Sequence, residues 1–181
     1  MTRIKPLDLN EISPSVKTAM DNYGNLYSEP VSAMQATLAH SLKAYNAYMQ
    51  WYPLFESVEV ILGKRMANLF AYAISKESEC TYCMIVFRKK IIDEGEDPDQ
   101  ILFTPEERIV LDFGSAITKC RGNIANHIYN SVANRYTREE QVTLIAFAGQ
   151  MIAANIFNNV VETGLDNHLH DYVPVPKSIW Q

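Results

Sequence analysis

The chain has 181 residues, 48% hydrophobic and 20% charged, with a net charge of −5. That suffices for one sizeable core without a disulfide framework, and the acidic balance argues against nucleic acid, because neutralising phosphates takes a basic face. Residues 1–6 lack the apolar run of a signal peptide. The longest apolar stretch, residues 142–157, is interrupted by Gln150 and Asn155 and is short for a bilayer. A cytoplasmic protein with no membrane partner is expected, in a compartment that keeps thiols reduced.

Ser13 and Pro14 pair a cap residue with a proline at the first helical position, and Gly24 is the expected stop. Residues 31–52 read as helix, broken near His40 and stopped before Pro53. Residues 58–75 form another, with Leu62, Met66, Leu69, Phe70 and Ala73 at helical spacing. Ser78 is read as the cap of a helix running to about Asp93, with Gly95 beyond it. Thr104, Pro105 and Glu107 make a capping box with a first-turn proline. Residues 123–134 supply one more helix. Thr137 and Glu140 then open a long apolar helix of roughly seven turns, which Gly164 is expected to end.

No alternating strand and no asparagine–glycine hairpin is found. The fold class is therefore all-α, a single bundle of about seven or eight helices over residues 1–165. Residues 166–181 turn polar, then run through Val173-Pro174-Val175-Pro176 to Trp180. They read as a C-terminal arm lying on its own or a neighbouring subunit.

The chemistry concentrates at Cys80 and Cys83. Three residues apart on a predicted helix, their side chains share a face. With Ser78 as cap, Cys80 is the second helical residue, where free backbone N–H groups and the helix dipole lower a thiol pKa. Such a thiolate attacks a peroxide or disulfide and its neighbour closes the bridge. Three other readings stand beside this one. A zinc site would draw its remaining ligands from Cys120 and a distant histidine such as His127. A thioredoxin-type site requires a strand–loop–helix context, whereas here a helix precedes the pair. The cysteines are otherwise small buried apolar residues.

Around the pair, Tyr82 lies between the cysteines, although a phenol is a poor base at neutral pH. Lys64 and Arg65 lie a turn before Asn68, and His40 and His127 are candidates to reach the site from other helices. Cys120 reads as a partly buried lone thiol, and His168-x-His170 as a fortuitous cluster rather than a metal site. Tyr45, Tyr48, Trp51 and Tyr52 form an aromatic patch, read first as core or interface and second as the wall of an apolar pocket.

Residues 68–75 followed by Glu79-Cys80-Thr81-Tyr82-Cys83 resemble the core of the carboxymuconolactone decarboxylase / alkylhydroperoxidase D (AhpD)-like superfamily. Leu38-Ala39-His40-Ser41 and a final helix with Asn155, Asn158 and Asn159 extend the likeness over most of residues 10–164. The resemblance implies an AhpD-like helical bundle and a thiol-dependent oxidoreductase, an antioxidant peroxidase or disulfide reductase with a reversible Cys80–Cys83 bridge. It implies no cofactor, a hydroperoxide or disulfide substrate, an external dithiol reductant protein, and a homo-oligomer, trimer or hexamer. In its proton relay, a glutamate stands twelve residues before the first cysteine and a histidine four after the second. Here those places are held by Asn68 and Phe87, neither of which takes a proton from a thiol. By resemblance Cys83 attacks and Cys80 resolves; the helix-dipole argument points the other way. Two alternatives stand beside this reading: a decarboxylase-type lyase, a branch that does not use a cysteine pair, or a non-enzymatic binding or stress-response protein on the same fold that has lost the relay.

Overall fold

Local capping sets most element boundaries in the computed structural model, which describes residues 2–27 and 30–174, with Asn25 described by its backbone alone. Thr104 and Glu107 cap each other's backbone at the start of one helix, and Thr137 and Glu140 repeat the device at another. Ser32 and Gln35 form a third capping box that the sequence reading passed over.

The described residues form nine α-helices and one 3₁₀ helix, with no strand. They are α1 Pro14–Tyr27, α2 Ala33–Leu38, α3 Leu42–Met49, α4 Trp51–Leu62, α5 Lys64–Glu77, α6 Thr81–Asp93, α7 Pro105–Lys119, α8 Asn126–Ala133 and α9 Arg138–Val161, followed by the 3₁₀ helix Asn167–Tyr172. The architecture is all-α, as read from the sequence. The count exceeds seven or eight because residues 31–62 divide into three helices. The break near His40 is present. Pro53 stops nothing: it sits in the first turn of α4, where its missing N–H has no intrahelical acceptor to lose.

Helix ends depart from the sequence reading for one shared reason. Glu79, Arg121 and Glu162 adopt φ of 51°, 51° and 55°. Each is the left-handed residue of a C-terminal cap in which the next N–H reaches back five residues: Cys80 to Ser75 O, Gly122 to Ile117 O, Thr163 to Asn158 O. Two of these caps therefore use glutamate where glycine is the usual signal. Gly164 lies beyond the true end of α9, and Gly24 lies inside α1, which runs on to Tyr27. Gly63, at φ 77°, does make the turn between α4 and α5.

The main core lies between α4, α5, α7 and α9, where Phe70, Ile74, Phe113, Leu144, Phe147 and Met151 are fully buried. Burying each such side chain contributes about 1.5–3 kcal/mol. Gly114 of α7 allows the close approach, since a Cβ there would meet the Phe70 ring at 2.6 Å. Trp51 stacks on Phe55 at 4.7 Å and donates its indole N–H to Met151 Sδ at 2.8 Å.

A second cluster joins α1 to α2 and α3 through Val16, Met20, Leu38 and Tyr45. With 24 residues, α9 outlasts the apolar run read from the sequence, and by length and composition it could cross a membrane. Its Phe147, Ala148 and Met151 pack in the core instead.

Candidate active site

Cys80 belongs to two helices at once. Its N–H closes the cap of α5 on Ser75 O at 3.1 Å, while its side chain is the N-cap of α6, Sγ accepting the Cys83 N–H at 3.4 Å. Ser78 is therefore not the cap of this helix but the C-cap residue of α5, and Cys80 precedes the first helical residue rather than being the second. The junction is pinned from α9. Asn155 Nδ2 donates to Ser78 Oγ at 3.0 Å, and Asn159 Nδ2 to Ser78 O at 3.0 Å.

Both thiols are free, and both are buried. The Cys80 thiol is held below its ordinary value of 9.0 by its hydrogen bond with Cys83, helped by backbone N–H groups of the helix start and opposed by burial. Cys83 is pushed well above 9.0 by the same bond with Cys80 and by burial. One donor works in the opposite sense, Asn158 Nδ2, which lies 3.2 Å from Cys83 Sγ and lowers its pKa. Of the two thiols, Cys80 is therefore the more readily deprotonated.

Tyr82 donates its hydroxyl to Asp166 Oδ2 at 2.7 Å, and Asp166 Oδ1 accepts the Ala33 N–H at 2.8 Å. Burial, followed by the Asp166 charge, pushes the phenol far above its ordinary 10.0, so it remains a neutral donor. The segment after Asp166 lies along α6. Leu169 is buried against Cys80, Tyr82, Cys83 and Ile85, and Tyr172 donates to Asp93 Oδ1 at 2.9 Å.

A cavity of about 560 Å³ opens beside α6. Cys83 is in its wall and Cys80 is not. Tyr48, Trp51, Tyr52, Phe87, Met34 and Met151 line it, and its far end carries Glu59, Lys64, Asn68 and Glu94. There Asn68 Nδ2 donates to Glu94 Oε1 at 3.1 Å, and Lys64 Nζ lies 3.3 Å from the same oxygen.

No family model and no curated protein matches the chain. Solved structures do. The debrominase Bmp8 superposes with a TM-score of 0.77 at 12% identity, over 96% of this chain and 97% of that one. A cysteine-to-alanine form of Bmp8 in complex with 2,3,4-tribromopyrrole gives 0.77 at 13% identity, over 95% and 96%. An uncharacterized peroxidase-related protein from Silicibacter sp. TM1040 gives 0.71 at 16%, over 94% and 97%. An alkylhydroperoxidase AhpD core protein from Ralstonia eutropha JMP134 gives 0.66 at 15%, over 97% and 98%. The chain has the AhpD-like fold.

Within the AhpD-like fold the predicted residues sort clearly. Cys83, Tyr82, Asn68 and Phe87 all line the cavity, with Cys80 directly behind. Phe87 is packing, with ring centroids 6.1 Å from Phe55 and 6.2 Å from Trp51. Of the aromatic patch, Tyr45 is core while Tyr48, Trp51 and Tyr52 are cavity wall. His40 is exposed and Nε2 lies 2.9 Å from Lys5 O, and His127 is exposed on α8, so neither reaches the site. Arg65 is engaged by Glu96 and Glu107. Cys120 is exposed at the end of α7 rather than partly buried. His168 lines the cavity but His170 does not, and among the described residues no three metal-ligating side chains come together. Val175, Pro176 and Trp180 lie outside the described residues.

Asp166, Asn158 and Glu94 were missed as site residues. Asp166 and Asn158 are 84 and 75 residues from their partners, beyond the reach of any local pattern.

Proposed function

We propose that this chain is a thiol-dependent oxidoreductase in which Cys80 and Cys83 deliver two electrons to an organic electrophile held in the aromatic cavity. The observation that carries this is the asymmetry of the pair: Cys83 faces the cavity, and Cys80 stands behind it as the N-cap of α6. An external dithiol reductant restores the pair, and no cofactor takes part.

With an organic hydroperoxide the steps balance without a glutamate or histidine. The pair begins with one proton between its two sulfurs. As Cys83 Sγ attacks the terminal peroxide oxygen and the O–O bond breaks, that proton passes to Cys80. The departing alkoxide takes it and leaves as the alcohol. The Cys80 thiolate then displaces hydroxide from the Cys83 sulfenic acid, closing the S–S bond, and a solvent proton turns hydroxide into water. Asn158 stabilises the attacking thiolate and Cys80 does the relay's work, so Asn68 and Phe87 need not.

A second electrophile is favoured by the aromatic walls and by likeness to a debrominase that binds a tribromopyrrole. There the same two electrons replace a carbon–halogen bond by carbon–hydrogen, releasing halide and leaving the disulfide. A homo-oligomer also fits, because α9 exposes Val142, Ile145, Ile156 and Val160 on one face, an apolar stripe that a second copy would cover. A monomer mass by light scattering would count against that.

The test is thiol trapping with mass spectrometry after about one equivalent of organic hydroperoxide, halogenated pyrrole or small disulfide. The expected result is loss of two hydrogens, mapped to a Cys80–Cys83 bridge and reversed by a dithiol. The oxidant that acts fastest names the branch. Thiols silent to all three would overturn the proposal and leave a binding protein.

A further inference from the structure

The thiols that carry the proposed chemistry are out of reach of another protein. Cys80 is 0% and Cys83 6% exposed, and part of what covers them is the C-terminal segment. Leu169 is buried in one cluster with Cys80, Tyr82, Cys83 and Ile85, and Leu165 and Tyr172 pack against that cluster. The segment is held at its root, its middle and its tip. At the root Asp166 accepts from the Tyr82 hydroxyl and the Ala33 N–H. In the middle Leu169 is the buried anchor. At the tip Tyr172 donates to Asp93 Oδ1, and Lys89 Nζ lies 5.2 Å from its ring centroid. Between these points Asn167, His168, His170 and Asp171 are exposed. A short 3₁₀ helix has poorer hydrogen-bond geometry than an α-helix, and a segment with few buried apolar contacts opens more readily than the core around it.

We infer that residues 166–172 are a strap over the cysteine pair, closed while substrate enters through the cavity and lifted from its Tyr172 end when a protein dithiol reduces the bridge. The inference deepens the oxidoreductase reading above and rests on it. Cys83 is in the cavity wall, so a small electrophile approaches it with the strap in place. A protein reductant has a different requirement. Its thiolate must attack one bridge sulfur and expel the other as thiolate; its second thiol then closes its own disulfide and frees the first. Two electrons and two protons pass in this way from partner to pair. The mixed disulfide between the two attacks joins two folded chains, and it cannot form at a sulfur packed under Leu169. Release begins at Tyr172 because one hydrogen bond holds the tip, whereas Asp166 makes two at the root. Tyr172 also lies outside the cavity wall, so lifting it leaves the substrate's entrance as it was.

The experiment compares two maleimides on the full reduced chain, N-ethylmaleimide and a polyethylene glycol maleimide of protein size, which share one reactive group. Labelling of Cys80 and Cys83 is read against exposed Cys120 in the same molecule. In the parent the large reagent is expected to lag the small one by about a hundredfold, as for a minor open state populated at about 1%. Tyr172→Ala removes a hydrogen bond and the ring packing. It is expected to speed the large reagent about tenfold and to leave the small one within about twofold. Tyr172→Phe removes the hydrogen bond alone, is expected to act in the same direction by about threefold, and serves if Tyr172→Ala does not fold. On the oxidised chain, Tyr172→Ala is expected to speed reduction by thioredoxin about tenfold and to leave reduction by dithiothreitol unchanged.

Equal labelling by the two maleimides in the parent would overturn the inference, because the thiols would then not be covered. A large reagent unmoved by both Tyr172 variants would do the same. So would both reagents accelerating together, which is loosening of the whole site rather than lifting of a strap. Labelling needs no turnover, so it separates the two readings. If the large reagent responds to Tyr172 but no oxidant forms the bridge, the strap stands and the redox function falls. If the bridge forms but thioredoxin reduces parent and variant at one rate, the redox function stands and the strap falls.

Discussion

The two ends of the cavity are built on different principles. At the thiol end the groups are satisfied by one another: Cys80 Sγ accepts the Cys83 N–H, Cys83 Sγ accepts from the Asn158 amide, and Tyr82 donates to Asp166. At the other end Lys64 and Glu94 fix an amide whose oxygen has no partner. The thiol end is held in place by backbone geometry, which a helix cap sets without reference to any ligand. The two clusters lie at opposite ends of the α5–α6 pair and share no residue, so substitutions should move them independently.

The largest break falls on the sulfurs. Cys83→Ser and Cys80→Ser each leave one thiol of the pair beside Cys120, so the loss of two hydrogens should be abolished, read by thiol trapping; an intramolecular bridge in either variant would overturn the pairing. In the parent, bridging should slow as pH falls through the lowered Cys80 value, below 9.0, because the proton-sharing pair then loses its charge.

Asn158→Ala comes next. Without the amide donor the Cys83 pKa rises further. In a Cys80→Ser background, the pH profile of Cys83 alkylation should move upward, and the rate at neutral pH should fall about tenfold, as expected for losing one hydrogen bond to a thiolate. An unmoved profile would assign Asn158 to packing alone.

Tyr82→Phe sharpens the comparison from the arm's side. Loss of the Asp166 bond should cost about 1–2 kcal/mol in urea unfolding. The sign with pH follows from the raised phenol. Its contribution is fully present below pH 10.0 and is lost as pH rises toward the folded-state value. The gap between the parent and Tyr82→Phe should therefore shrink above pH 10.0.

The smallest effect is expected at Glu79, which carries φ 51° beside the cysteines and is not in the cavity wall. Glu79→Gly relieves a left-handed backbone and should stabilise the fold by about 1 kcal/mol at most. A Schellman cap kept intact should leave bridge formation as it was.

Much of this was legible beforehand, and the parts that were not share a cause. Thr104 and Thr137 announce their helices because a capping box is a local four-residue signal. Ser78 was misread because a serine before a helix is a sound cap in sequence, while the actual cap is a cysteine whose competitor, Glu79, had to enter the left-handed region first. The ends at Glu79 and Glu162 lack the glycine that usually marks them. Tyr48, Trp51 and Tyr52 were visible as an aromatic patch, yet only packing against α6 and α9 makes them cavity wall.

By itself the sequence determined the all-helical class, the spacing that puts Cys80 and Cys83 within reach, and the lack of a thiol-reaching base at Asn68 and Phe87. These follow from periodicity and side-chain chemistry, which act over a few residues. Tertiary structure alone decided which sulfur faces the cavity, that Asn158 and Asp166 serve the thiol end, and that Glu94 turns the Asn68 amide. Those contacts join residues up to 84 positions apart, and their geometry is fixed by how buried helices pack, not by any pattern along the chain.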